Sequence, residues 1–521
     1  MPDRPLNGQH GMATGRYQAD LSKSRLISAW QCLKKLHLEI QRPDLASQQP
    51  GTEALFRAGR EVGEIARQLY GTPGSVVIPY QKGEAMVQQT TLLLEQGANE
   101  PIFEATFRHR GVLVRVDVLF PGPGGWHAVE VKASTSVKDV HVIDCAIQWW
   151  VMQGAGIPVQ SIALGHLNNQ FVYEGDGNYA GLLVEQDLTE EARGLGDAVS
   201  DLARRAKHAA SGRLPDVRVG MHCHQPYDCD FRAFCWPLAT PYPVPALGGS
   251  KAKHAEWVNR GYTDLRDIPA GEITADRQQR IQRITRTGEA ELLPGAKETL
   301  EALGYPRYYL DFETIAPAIP LWAGTRPYES LPVQWSVHTD DGTGDGSLNS
   351  AQHAEFLDLS GEPPLRALAG RMIDTLGTTG PVFMYTDYER RVILDLVNRF
   401  PDLGERLQRI VARLIDLAEI VRTHYYHPRM LGSWSIKAVG PAIAPHLDYA
   451  QLPGINDGMA ASEGFLEAIQ ADTPPPRKAT LKRQLLRYCR FDTEVMVEIV
   501  RFLCQGPDGR NRDRPAGDGT N

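Results

Sequence analysis

No stretch of about 18 consecutive apolar residues occurs in this chain, and the opening string MPDRPLNGQHGMATGRYQAD has no apolar core. Neither a membrane span nor a signal peptide is therefore expected, and the sequence reads as cytoplasmic. Basic charge is not in excess. The 55 Lys and Arg face 63 Asp and Glu, a formal net charge of −8, which is the wrong sign for coating nucleic acid by bulk electrostatics, so such a partner must be met by local patches. Cysteines number only 7, an odd count, and without a secretion signal they do not read as a disulfide framework. Metal or cluster ligation becomes the better question. Paired C-x2-C knuckles are missing, which argues against a zinc ribbon, and no G-x4-G-K-[ST] string occurs, which argues against an intrinsic helicase motor. No internal repeat stands out.

What is present is an ordinary soluble composition over 521 residues, 42% hydrophobic and 23% charged, with enough length for two or three domains. The 49 Gly and 36 Pro predict long ordered loops. Residues 1–20 read as a disordered polar arm and 505–521 as a disordered tail. Between them, the proline-dense string PLATPYPVPALGG, Pro237 to Gly249, interrupts both helix and strand and marks the main boundary. Residues 21–237 open with amphipathic helices near Ser24 to Leu38 and Glu53 to Tyr70. Three β-like runs follow, PIFEATFRH, GVLVRVDVLF and GWHAVEVKAS, and then a helix, HVIDCAIQWWVMQGAG. Helices, sheet, then helix imply α/β layering. Residues 238–304 read as a Pro-rich linker and small helical segment. Residues 305–504 give the order βββαβα plus further helices, from the strand RYYLDFET to the long amphipathic helix ending RYCRFDTEVMVEIVRFL.

In the first segment, Glu130 and Lys132 in EVK lie two apart on a strand and share a face, and the neighbouring strand can bring Asp117 beside them. Two carboxylates and an ammonium meet the needs of metal-assisted phosphodiester cleavage: the acids hold a hard cation and the lysine stabilises charge or orients the nucleophile. Gln148 follows on the helix DCAIQWWV. Upstream, LSKSRLISAWQCLKKLHLE carries Cys32, and downstream MHCHQPYDCDFRAFCWP carries Cys223, Cys229 and Cys235 at C-x5-C-x5-C spacing.

Together these strings resemble the iron-sulfur RecB-like nucleases of the PD-(D/E)XK class, including CRISPR-associated ones, over about Leu21 to Pro237. That resemblance implies a restriction-endonuclease fold, a 4Fe-4S cluster on Cys32, Cys223, Cys229 and Cys235 that staples its ends, Mg2+ or Mn2+ on Asp117 and Glu130, and Gln148 as an orienting residue. The family's helical histidine ligand has no counterpart in GREVGEIARQ, where Glu64, with Glu61 as the competing choice, is the candidate metal ligand; Glu104 is a further one. Zinc is the alternative at the cysteines, with His222 and His224 as substitute ligands. Cys145, in an apolar helix, reads as a buried small hydrophobe.

In the last segment Asp311 and Glu313 lie two apart on the strand RYYLDFET, and PVFMYTDYERRVI offers Glu389, with Asp387 two residues before it. Tyr488 and Asp492 in RYCRFDTE fall four apart on one helical face. In this order the strings resemble the motifs of DEDD-type 3′-5′ exonucleases of the RNase H-like fold. Glu389 stands where that family has aspartate. By resemblance, Asp311, Glu313, Glu389 and Asp492 bind two Mg2+ or Mn2+ ions and Tyr488 positions water. Arg406, Arg409 and Arg413 recur at helical spacing, and Arg483, Arg487 and Arg490 precede or flank Tyr488, as candidate phosphate contacts. Trp434, Ser435 and Lys437 in LGSWSIKAVGP sit between the motifs without an assigned role. The chain thus reads as a two-module α/β metal-dependent nuclease of the bacterial proteins that join these modules, acting on DNA in preference to RNA, with a helicase or other repair or defence protein as a possible partner and no membrane. The alternative is a nucleic-acid-binding iron-sulfur protein with one or both sites degenerate.

Overall fold

The computed structural model describes residues 20–47, 51–81, 83–344 and 346–506. The expected arm and nearly all of the expected tail lie outside these. The chain is mixed α/β and divides into two compact units, one of residues up to Phe171 with Gly177–Pro237, the other of Val172–Asp176 with Leu238 onward. Among the described residues no helix is long and apolar enough to cross a membrane.

The first unit is built on a seven-stranded sheet. Its strands are β1 (Leu21–Ser22), β2 (Val76–Val77), β3 (Ile102–His109), β4 (Val112–Gly122), β5 (Gly125–Lys132), β6 (Val159–Leu167) and β7 (Leu183–Asp187). They pair in the order β2-β3-β4-β5-β6-β7, with β1 lying parallel to the start of β4. The alternation in VLVRVDV buries Val112, Val114 and Val116 against Ala146, Ile147 and Val151 of the helix Asp139–Gly154. Phe103, Val118, Val129 and Ala163 form a separate apolar cluster. The expected helix from Ser24 to Leu38 is two helices, Lys23–Gln31 and Leu33–Gln41. The chain breaks at Cys32, which takes an extended conformation (φ −165°, ψ 120°). Helical periodicity runs on through LKKL, so the corner leaves no mark in the pattern.

The second unit holds a five-stranded sheet of β9 (Arg307–Ile315), β10 (Leu331–Asp340), β11 (Gln352–Leu357), β12 (Val382–Met384) and β13 (Leu414–Asp416), in the order β11-β10-β9-β12-β13. A two-stranded ribbon joins β8 (Glu291–Leu292) to β14 (Tyr425–Tyr426). β9 is central, antiparallel to β10 and parallel to β12. Neighbouring residues of β10 look to opposite faces. Trp335 Nε1 donates to Leu368 O of the helix Leu365–Leu376, whereas Gln334 Nε2 donates to Leu485 O of the helix Pro475–Gln505. The sheet is therefore sandwiched, and since Asp311 pairs with Ser336 and Glu313 with Gln334, both acids look toward the long C-terminal helix. The segment 238–304 is not a free-standing linker. Leu247, Trp257, Ile268, Ile281 and Leu300 enter the same core as the sheet, because each stretch between its prolines carries an apolar residue that only this core can cover.

Candidate functional site

In the first unit, the site forms where strands part. Pairing of β4 with β5 runs from Gly122 and Gly125 as far as Val118 and Val129 and then stops. The next ladder position is taken by a side chain, the Val131 N–H donating to Asp117 Oδ2 at 2.8 Å. On the other side, Glu104 of β3 adopts φ +62° and the register skips it and Asp117 together. At this fork the structure brings Glu130, Lys132 and Gln148 together. Glu130, buried, accepts from Lys132 Nζ and, through Oε2, from Gln148 Nε2 at 2.7 Å.

Two further residues complete the group, and the motif strings did not single them out. Lys23 Nζ lies 2.6 Å from Glu130 Oε1 and 3.0 Å from Asp144 Oδ1, and Lys132 Nζ lies 2.8 Å from Asp144 Oδ2. Burial opposes the charge on both lysines, but Asp144 and Glu130 outweigh it and hold each ammonium protonated well above its ordinary range. The signal for Asp144 was a carboxylate four residues before Gln148 on an otherwise apolar helix. Lys23 gave less, one lysine at the start of an amphipathic helix. Glu64 does not join them. Its side chain is 65% exposed and its carboxylate rests on Arg67 Nη1 at 2.8 Å, an i, i+3 pair on the solvent side of its helix. Arg67 in turn reaches Glu104, which also pairs with Arg115 at 3.1 Å. Ser22, Lys23, Tyr80, Glu104, Arg115 and Asp117 line a cleft of about 530 Å³ at this fork.

Cys32, Cys223, Cys229 and Cys235 line one small cavity, together with Lys34, Lys35, Arg218 and Arg232. The corner at Cys32 turns that thiol inward, and the Cys229 N–H donates to Cys223 O at 2.9 Å, closing the loop between two of the others. Burial pushes the thiols of Cys32 and Cys235 up and that of Cys229 to about 11. Without a cation among them Cys32, Cys229 and Cys235 are neutral thiols; four cysteine sulfurs lining one cavity among basic side chains fit a cationic cluster or ion. His222 also lines this cavity, while His224 Nδ1 pairs with Asp228 Oδ1 at 2.6 Å. Gln31 ties the loop to the first helix, its Nε2 donating to His222 O at 2.8 Å and Tyr227 O at 2.7 Å. Cys145 is fully buried in the apolar core.

In the second unit, β12 pairs with β9 only at Tyr308 and Tyr309, so the strands diverge just before Asp311. Thr386 then turns the chain at φ +82°, and the helix Tyr388–Arg399 starts with Glu389 buried and Asp387 62% exposed and paired with Arg390. Glutamate at the second motif is thus the inward acid. Its Oε2 is buried without a hydrogen-bond partner. Asp492 comes from the long helix and accepts from the Tyr449 hydroxyl. Burial raises Asp311 and Glu313 well above the carboxylate range, and repulsion from Asp492, from Glu389 and, for Asp311, from Glu313 adds to it. Glu389 is pushed up to about 8 by burial, and by Asp492 and Asp416; Asp492 is pushed up to about 6 by burial. Four acids from three elements therefore face one another in a space that favours protons or cations. Cys489 Sγ lies 3.6 Å from Asp311 Oδ2, and the ligand atoms of Asp311, Glu313 and Cys489 lie within 4.8 Å of one another. Burial keeps that thiol protonated, so it acts as a donor to Asp311 and the oxygens remain the ligands for a hard cation.

Tyr488 is buried with its ring edge-on to Tyr449 at 6.3 Å between centroids. The hydroxyl that holds Asp492 is that of Tyr449, which no motif marked. The candidate arginines are engaged elsewhere. Arg487 and Arg490 bind Glu494 at 2.8 and 2.9 Å, Arg406 binds Asp374 at 2.8 Å, and Arg409 pairs with Glu405. Arg483 donates to Thr480 Oγ1 at 3.2 Å, and Arg413 donates to the carbonyls of Leu376, Gly377, Thr379 and Gly380.

Residues 308–435 match the family model described as "Domain of unknown function (DUF2779)", a span that includes Asp311, Glu313 and Glu389 and ends before Tyr488 and Asp492. A search of curated proteins finds no match. A solved structure titled "Crystal structure of SSO0001" aligns over 43% of this chain and 89% of its own, at 13% identity and a TM-score of 0.21, too low to bear on the fold.

Proposed function

We propose that this chain is a metal-dependent nuclease of two modules, a RecB-like unit with an iron-sulfur staple and an RNase H-like, DEDD-type exonuclease unit, acting on DNA. One observation carries the proposal: Asp311 and Glu313, Glu389, and Asp492, from three separate stretches of sequence, face one another, the last two buried and the first two part-buried, and among the described residues no salt bridge neutralises any of them. So much like charge is unfavourable unless protons or shared divalent ions neutralise it, and divalent ions are the neutralisation that chemistry on phosphodiesters can use. The strand order β11-β10-β9-β12-β13 supports the RNase H-like reading, since it is the third, second, first, fourth and fifth strand of the unit's sheet. Inward Glu389 speaks against degeneracy of the second site.

When bound, such ions supply Lewis-acid polarisation of the phosphodiester and the attacking water. The residues do the rest. Asp311 and Glu313 ride on the rigid central strand, Tyr449 fixes one oxygen of Asp492, and Glu389 closes the far side. In the first unit Asp117 and Glu130 are the acids for a cation, Lys132 and Lys23 hold the charge of Glu130 and Asp144, and Gln148 orients Glu130. The donor set Cys32, Cys223, Cys229 and Cys235 fits a 4Fe-4S cluster, which when bound would join the first helix to the end of the unit.

The test is cleavage of end-labelled single- and double-stranded DNA and RNA by anaerobically purified protein with Mg2+ or Mn2+, beside Lys132→Ala and Asp311→Ala. Loss in one variant assigns the working site. Cleavage that survives Asp311→Ala but not Lys132→Ala makes the second unit a binding module. An iron-loaded protein that binds nucleic acid and cuts nothing refutes the nuclease and leaves an iron-sulfur binding protein; a colourless protein with one zinc refutes the cluster.

A further inference from the structure

Lys437 takes no part in holding the four acids, yet its position is unusual. It lies in the first turn of the helix Ile436–Ile443, where a cation meets the positive end of the helix dipole, an unfavourable placement. Two aromatic faces offset this: Nζ lies 5.1 Å from the Tyr449 ring centre and 5.2 Å from that of Tyr488, and it donates to Asn456 O at 3.3 Å. These two tyrosines belong to the acidic site. Tyr449 bonds Asp492, and the charge of Lys437 is felt by both Glu313 and Asp492.

The approach to Lys437 is fixed from behind. Gly432 adopts φ +75° where a Cβ would fall 1.8 Å from Ala246 O, so the turn requires glycine. Trp434 is then buried, its Nε1 donating to Tyr425 O at 2.9 Å while its carbonyl accepts from Tyr385 at 2.8 Å. With the loop anchored and the ammonium between two rings, an exposed lysine has a defined place at the mouth of a buried acidic site.

We infer, resting on the nuclease reading above, that Lys437 is the phosphate contact of the second site, taking a non-bridging oxygen of the incoming nucleic-acid strand. Charge explains the need. Two divalent ions would bring four carboxylates to neutrality, leaving the charge of the phosphodiester itself to be met. Arg487 and Arg490 are bound to Glu494, whereas Lys437 is close enough for its charge to act on Glu313 and Asp492. A lysine suits the position because a compact point charge can stay on the ring faces while one of its protons turns to the ligand.

The experiment uses the full chain, its Lys437→Gln and Lys437→Arg variants, and a fluorescein-labelled 12-nucleotide single strand with Ca2+ in place of Mg2+, followed by anisotropy over a salt series. Lys437→Gln is expected to weaken binding about fivefold or more and to reduce the slope of log affinity against log salt by about 0.7, one phosphate contact on a single strand. Lys437→Arg should recover most of both, and Mn2+ binding read by electron paramagnetic resonance should be retained in all three. With Mn2+ and cleavage as the readout, KM should rise in Lys437→Gln more than kcat falls. Unchanged affinity and slope in Lys437→Gln overturn the inference while the nuclease reading stands. Loss of Mn2+ binding in Lys437→Gln also overturns it, since the lysine would then act through the acids. A wild-type protein that neither binds nor cuts any strand overturns both.

Discussion

Replacing Glu389 with glutamine should make the metal-free protein more stable at neutral pH. In the unfolded chain this carboxyl ionises near 4.5, whereas in the folded protein burial and its acidic neighbours hold the proton to about 8. The folded state therefore binds more protons between those values. The stability associated with the proton is fully present below pH 4.5 and drains away as pH rises toward 8. Each pH unit in that window is worth about 1.4 kcal/mol, so from pH 5 to pH 7 this group removes about 3 kcal/mol. Glutamine has the shape of the protonated acid and no charge to bury. At about 2 °C per kcal/mol for a unit of this size, the Tm of the second unit should fall by about 6 °C less in Glu389→Gln than in wild type over that interval. Scanning calorimetry in EDTA, at half-unit pH steps, reads the difference directly. Equal pH slopes for the two proteins would refute the reasoning, because they would mean that Glu389 is ionised or solvated in the fold. Saturating Mn2+ should abolish the wild-type advantage of low pH.

Two further outcomes follow from the packing. Asp387→Ala should leave both cleavage and stability within about 0.5 kcal/mol of wild type, as its exposed carboxylate only pairs with Arg390, while Glu389→Ala should abolish cleavage by the second site. Measured side by side on an end-labelled strand, a loss in Asp387→Ala would show that the wrong acid has been placed inward. Lys23→Met should destabilise the first unit by about 2–4 kcal/mol, since it leaves Glu130 and Asp144 with one shared cation in a buried setting. Urea unfolding of Lys23→Met, Asp144→Asn and the double variant should give a coupling energy above about 1 kcal/mol, and additivity would refute direct pairing.

Much of the architecture could be read where pattern and chemistry agree. The alternation of VLVRVDV and of RYYLDFET occupies strands at Val112–Gly122 and Arg307–Ile315, and LRALAGRMIDTL is a helix over Leu365–Leu376. Spacing two apart on EVK put Glu130 and Lys132 on one face, and they pair. What escaped has a physical cause in each case. The break at Cys32 lies inside a continuous amphipathic pattern, so only the four-thiol cavity explains it. β13 is three residues long, too short for alternation to register. Lys23 and Asp144 are 121 positions apart in sequence and meet only through tertiary packing. Tyr449 follows a short turn at Pro445 with no periodicity, although its hydroxyl is the one that fixes Asp492. Glu64 was drawn in by a missing histidine, and the helix turns it to solvent instead.

The two acidic sites solve the same electrostatic problem in different ways, and the difference bears on how each will respond to loss of metal. Around Glu130 and Asp144 the protein supplies its own cations, Lys23 and Lys132, with four ion pairs at or below 3.0 Å. The second site has more carboxylates and, among the described residues, no salt bridge to any of them, with the exposed Lys437 acting on Glu313 and Asp492 from a distance, so protons stand in until something better arrives. Removing metal should therefore change the fold of the first unit little and make the second strongly pH-dependent. The same contrast gives the first site a built-in competition. A cation entering beside Glu130 must compete with the ammonium groups of Lys23 and Lys132, which both occupy its Oε1.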